Sequence, residues 1–372
     1  MSKAIKTIVK LKFATSPIIP KMINKTLAVV SQSGQSLSFF DVDTGALTGQ
    51  LKDLASEPHE LAYDDRTNLL YITHAYKDGW YVQHSDACTE ISVVDCLQKK
   101  VVDVIDISPH RGPHGIALDK QNDILYVSTE EGLEDQGGPG GLVGIDLKTR
   151  KVVKAVGAGW KVHWFVLTPD GKKAFTCNKE AGFISILDLD QEKMLGKIDL
   201  PGGCEGPAIS KDGRFAYFPT PTVGLGMKGK QGDFHIQVID TQACKVVQAI
   251  PLEFGAVALH VDSKDRLLVG QYRFGAAAAE GKMQKPLPGR LTVLSSSKDH
   301  FRELGTFETD LVPLTVFAAP DASRAFAANV FSGTVTVVDL DQMVHERSLA
   351  VDTETRKDKL LHQGAHGLAL IP

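Results

Sequence analysis

The sequence has no apolar run approaching the roughly 20 residues that a bilayer-spanning helix needs. It has no basic excess either: 41 Lys and Arg stand against 45 Asp and Glu, giving a formal net charge of -4 and a pI near 6.3. A nucleic-acid surface requires a basic stripe, so neither nucleic acid nor membrane is an expected partner. Cysteine is scarce. Cys88, Cys96, Cys177, Cys204 and Cys244 make an odd number with no C-x-x-C spacing, which points to reduced thiols and a cytoplasmic location. Residues 1–20 scatter lysines among apolar residues, without the continuous apolar core of a signal peptide, and read as a strand. Helical periodicity appears nowhere at length. No Ser, Cys or Thr stands in a recognisable nucleophile motif. The run from Gly137 to Gly141 lacks the strand–turn–helix setting of a phosphate loop.

What the chain does have is a repeat. Gly112-Pro113-His114-Gly115-Ile116-Ala117-Leu118-Asp119, followed by Asp123-Ile124-Leu125-Tyr126-Val127-Ser128, is one copy of a unit that recurs from end to end. The copies align on the residues Val29, Tyr71, Tyr126, Phe175, Tyr217, Val269 and Phe326, about fifty residues apart, the size of a four-stranded propeller blade. Each copy has an apolar strand, a turn rich in Asp, Gly and Lys, a second strand, a variable loop, and a third strand ending in an acid. Those acids are Asp41, Asp95, Asp146, Asp188, Asp240 and Asp339, with Ser295 in the sixth copy. They are expected to bond turn amides. A fourth, β-branched strand follows. Short strands punctuated by turns predict an all-β protein. Seven units of four antiparallel strands make a seven-bladed β-propeller, a single domain over residues 1–372. Eight first strands accompany seven sets of the other three. The expected solution is a ring closed by joining the two ends, with the strand after His366 innermost in blade 1.

The pattern Gly-Pro-His-Gly-Ile-Ala-Leu-Asp, then Leu-Tyr-Val-Ser, Val-Gly-Ile-Asp and Lys-Val-Val resembles the YVTN-type propeller repeat, within the broader lactonase-like propeller superfamily. The resemblance covers nearly the whole chain. It implies the fold, and it leaves lactonases, lyases, cofactor-binding proteins and scaffolds all open as functions. The chain departs from such repeats in one respect: histidines stand where small or apolar residues are usual.

In a propeller the first strand of each blade lines the central channel and begins at the top face. The aligned opening positions are His366, His59, His114, His163, Glu205, Val257 and Leu314. Five consecutive blades thus offer imidazole or carboxylate, and two offer an apolar wall. That pattern suits a metal on one side and the apolar part of a substrate on the other. A lone channel histidine would be read as water-binding. Four at equivalent positions favour a metal or catalytic cluster. Expected metal ligands are His59, His114, His163, His366 and Glu205, for Zn, Mn or Fe. Glu205 is either a ligand or, with His163, the catalytic acid–base group. Glu60 is expected on the opposite strand face. Long loops at His74–Glu90, Glu130–Gly141, Pro221–Asp233 and Tyr272–Gly289 are expected to crown the top. Expected substrate-binding residues are His74, Tyr81, Tyr272, Arg273, Val257 and Leu314. Arg273 would either clamp a carboxylate or pair with a surface acid.

The expected function is a metal-dependent enzyme performing hydrolysis or elimination on a small organic acid, lactone or related ring compound. A non-haem iron oxygenase and a non-catalytic binding or scaffold propeller are the alternatives. Sequence does not fix the oligomeric state.

Overall fold

A computed structural model describes residues 25–78, 86–131, 139–159, 161–178, 181–220, 234–275, 285–297, 300–355 and 362–372. It contains twenty-eight strands in seven four-stranded antiparallel sheets, and no helix among the described residues. Among the described residues no helix is long and apolar enough to cross a membrane. Six sheets are built from four consecutive strands each. The seventh closes the ring: β28 (Leu368–Ile371) is its innermost strand and pairs antiparallel with β1 (Thr26–Ser31), Val29 opposite Leu368. The expected closure by the strand after His366 is therefore present. The N-terminal strand expected before residue 25 lies outside the described residues.

Burial follows position in the blade. The middle strands are covered on both faces by neighbouring blades, so they read as continuous buried runs, such as Ser36–Asp41. The outermost strands face water on both sides and leave Val101, Val102 and Val104 exposed. The aligned aromatics Tyr71, Tyr126, Phe175 and Phe326 are among the largest fully buried side chains. The third-strand acids act as the turn pattern predicts. Asp95 accepts from the Leu97 and Gln98 amides, Asp188 from Asp190 and Gln191, Asp339 from Asp341 and Gln342. Each terminates its strand by satisfying donors that would otherwise be orphaned.

Two features position the axis. The first is a β-bulge in the innermost strands. In β4 (Pro58–Asp64), Pro58 and Leu61 pair with His74 and Ile72, so three steps on one strand meet two on its partner. The same slip falls between Pro113 and Ile116 in β8 (Arg111–Asp119), and between Val162 and Phe165 in β12 (Val162–Leu167). A bulge re-aims side chains locally, and in all three strands it contains the histidine.

The second feature is a chain of hydrogen bonds from blade to blade. Gly367 N–H donates to the His59 carbonyl at 3.0 Å. The Thr73 hydroxyl accepts from the Glu60 amide at 3.0 Å and donates to the His114 carbonyl at 2.7 Å. The Ser128 hydroxyl does the same for the Gly115 amide and the His163 carbonyl. The Cys177 thiol donates to the Glu205 carbonyl. In these four steps one blade fixes the ring residue of the next, from His59 round to Glu205. Glycine is required for this approach at Gly367, where a Cβ would lie 2.4 Å from the His59 carbonyl oxygen.

Candidate metal centre at the propeller axis

The four ring histidines form a contiguous arc. Ring centroids are 4.1 Å apart for His366 and His59, 3.7 Å for His59 and His114, and 4.1 Å for the stacked pair His114 and His163. All four are buried. Glu205 extends the arc, its Oε2 3.4 Å from His163 Nδ1. The five residues expected from register are therefore side by side.

Two carboxylates join them that sequence reasoning placed elsewhere or passed over. Glu60 was expected on the far face of its strand, but the bulge puts consecutive residues His59 and Glu60 on the axis together. Glu60 Oε1 lies 3.2 Å from His366 Nδ1 and 3.8 Å from His59 Nδ1. Glu130 comes from the end of β9 (Ile124–Glu131), the second strand of blade 3, which runs back toward the top. Its Oε1 accepts from the Tyr76 hydroxyl at 2.6 Å and lies 3.2 Å from His163 Nε2; its Oε2 lies 3.2 Å from Lys161 Nζ. The available signal was an acid at the returning end of the second strand, where the preceding repeat has Ala75. The bulge also brings in Trp164, whose indole stands edge-on to His114 at 4.5 Å and lies within 6.3 Å of the other three imidazoles.

The donor atoms fall into two sets, His59–Glu60–His366 and His114–Glu130–His163, with one donor per residue and all donors of a set within 4.8 Å of one another. Imidazole plus carboxylate in that density fits a divalent transition metal. Burial pushes the Glu60 carboxyl up, but the His366 and His59 imidazoles outweigh it and hold it at about 2. Burial also pushes Glu130 up, and His163, Lys161 and Tyr76 bring it down to about 2. Desolvation, then the neighbouring His366, lowers His59 to about 3. At neutral pH the first set is thus a buried carboxylate beside a neutral His59 imidazole, the protonation state that binds cations.

The apolar wall is also present. Val257, Leu314 and Tyr272 share one buried cluster with Val312 and Val330. Tyr272 packs against Phe234 and Phe274, and burial, then the nearby Glu205 charge, pushes its phenol up. Two expected substrate contacts are placed differently. His74 ends β5 (Leu69–His74) as a fully buried core residue, with Nδ1 3.0 Å from the Ser56 carbonyl and Nε2 2.8 Å from the Ser92 hydroxyl. Both ring nitrogens are engaged, so no nitrogen is left for a substrate. Among the described residues Arg273 neither clamps toward the arc nor pairs with an acid. It lies over the Phe254 ring and donates to the Pro288 carbonyl. Tyr81 lies outside the described residues, as do much of three of the expected top loops and Pro221–Asp233 entirely. A separate cavity of about 420 Å³ is lined by Leu118, Leu167 and Ile209 near the ends of the innermost strands. Leu118 is four residues past His114, about 13 Å along a strand, so this cavity is not the site of the histidines.

A seven-bladed propeller with a buried His/Glu arc on its axis is the class defined by these observations. Known structures share the fold. The periplasmic gluconolactonase of Pseudomonas aeruginosa is 16% identical, with 94% of this chain and 99% of that chain covered and a TM-score of 0.66. A candidate 6-phosphogluconolactonase of Bacteroides uniformis is 13% identical over 94% of this chain and all of that one, with a TM-score of 0.65. A functionally unknown protein of Desulfotomaculum acetoxidans is 13% identical, covers 93% and 98%, and gives 0.67. No protein-family model matches the chain, and no curated protein matches it in sequence. Identities this low establish shared architecture and leave the chemistry to the site itself.

Proposed function

We propose that the protein is a metal-dependent hydrolase of the lactonase type, acting on a lactone or related ring ester of a small organic acid at the top of the channel. The observation that carries this reading is the buried arc of four imidazoles and three carboxylates. A structural role would not need so many ligating groups in one dry place, where unpaired charge is costly. The lactonases among the propellers of like fold support the substrate class. A bound Zn, Mn or Fe ion would supply Lewis acidity and a water of lowered pKa. The chain's own residues do the rest. Glu205, 3.4 Å from His163 Nδ1, takes the proton of the attacking water, and His163 delivers it to the ring oxygen as the ester C–O bond breaks. The Tyr272 phenol, pushed up by burial and the Glu205 charge, stays protonated near neutral pH. Val257 and Leu314 exclude water on the apolar side. The five unpaired thiols favour a reducing compartment and hence the cytoplasm.

The test is turnover of a panel of γ- and δ-lactones by purified protein, before and after chelation, with elemental analysis alongside. Hydrolysis should vanish with the metal and return on reconstitution. Glu205→Gln should lower kcat by roughly 10²–10⁴-fold, as expected for loss of a general base. Full activity in the metal-free protein, or no turnover of any lactone by the metal-loaded protein, would reject the reading.

A further inference from the structure

The two donor sets are not equivalent. Glu130 already has a cation: Lys161 Nζ lies 3.2 Å from its Oε2, and Tyr76 donates to its other oxygen. Glu60 has none. Among the described residues the only titratable groups within ion-pair distance of it are the imidazoles of His366 and His59. His59 Nδ1, His366 Nδ1 and Glu60 Oε1 are buried and have no other hydrogen-bonding partner. Their residues are 5%, 1% and 8% exposed.

Electrostatics then decides between the sets. A carboxylate buried without a countercharge is strongly disfavoured, and one held by an ammonium ion is not. Adding a divalent ion to the first set neutralises a charge that nothing else offsets. Adding one to the second would force Lys161 away from Glu130, or leave two cations in contact within a low-dielectric site. Crowding argues the same way. His59 and His114, one from each set, have ring centroids 3.7 Å apart, so two ions would sit close together with only three carboxylates to share.

We propose that the axis binds one divalent cation, seated in His59–Glu60–His366, and that the Lys161 ammonium occupies the electrostatic role of a second ion in His114–Glu130–His163. This rests on the metal-dependent reading above and adds to it the seat, the stoichiometry and a role for Lys161. It also shifts the ligand set away from the five residues expected from register, since Glu60 replaces Glu205 as the carboxylate on the ion.

The experiment is elemental analysis of the full chain and its variants after reconstitution with excess Zn²⁺ and desalting. The wild-type protein should retain one equivalent. Glu60→Gln and, independently, His366→Gln should each reduce that to near zero, whereas Glu130→Gln should keep about one. Lys161→Met, which frees Glu130, should raise the content toward two. The wild-type stoichiometry needs no variant to fold: two equivalents would overturn the proposal. So would loss of the ion in Glu130→Gln with retention in a folded Glu60→Gln, checked by its circular dichroism spectrum. No ion in the wild-type protein would remove the metal-dependent reading itself, and the proposal with it. One wild-type ion held by the wrong set would remove only the seat.

Discussion

His74 and His59 are both buried imidazoles in neighbouring strands of one blade, yet their surroundings assign them different work. His74 has a carbonyl on one nitrogen and a hydroxyl on the other. His59 Nδ1 faces a carboxylate that no lysine or arginine among the described residues neutralises. The contrast gives a pH prediction. Burial lowers His74 from 6.5 to about 4, the Ser56 and Ala55 carbonyls opposing it in part. The unfolded chain therefore binds the proton more readily than the folded one between those values. Stability is fully present above pH 6.5 and is lost as pH falls toward 4. His59 contributes with the same sign in metal-free protein. Urea unfolding at pH 7.5 and 5.0 should show the loss, and His74→Gln should flatten it by about 2 kcal/mol, one to two pH units of linkage. An unchanged slope in that variant would mean His74 is not held neutral by burial. Register alone made the four ring histidines and Glu205 legible in the sequence. His74 was misread because it was assigned to the loop that follows, when β5 continues one residue further and buries it.

At the scale of the strand, what sequence could not supply was the bulge. Strict alternation sends His59 and Glu60 to opposite faces, and the same rule would hide Trp164 behind His163. The slip between Pro58 and Leu61, repeated in β8 and β12, places neighbours together, and no residue in the repeat announces it. Glu130 was missed for a different reason: it arrives on a second strand, while the register argument followed only first strands. Thr73 and Ser128 hold the bulges open by bonding the bulged amide of one blade and the ring carbonyl of the next. Thr73→Val preserves shape but leaves the Glu60 amide and the His114 carbonyl without that hydroxyl. The expected destabilisation is roughly 1–3 kcal/mol for each buried group left unsatisfied, measured as a lower urea midpoint at unchanged m-value, with weaker Zn²⁺ binding. Thr73→Ser should restore both. A Thr73→Val protein as stable as wild type would show that water or another group replaces the hydroxyl.

For the whole molecule, the fold was almost fully readable, because repetition multiplies weak signals. One copy of strand–turn–strand is ambiguous; seven copies, six of them with an acid at the third-strand end, leave a propeller as the consistent solution. The ring's closure depends on β28. Ala365, Leu368 and Leu370 belong to one interblade core and Ala369 to the next, while β28 covers the open edge of β1. Removing residues 365–372 takes away an edge partner and four core side chains at once. The expected result is loss of cooperative thermal unfolding and association through the bared strand, seen by circular dichroism and size-exclusion chromatography. A monomer that melts like the full chain would show that the ring does not need this strand.

The same closure sets a schedule. His59 and Glu60 are translated early, and His366 stands two residues before the last of the described strands, so the three meet only when the ring is shut. A chain made only as far as β27 (Val344–Ala350) carries two of the three donors and would hold an ion weakly. An ion seated as proposed would then mark closure of the ring, and ring-opened chains would stay ion-poor and distinguishable from closed ones.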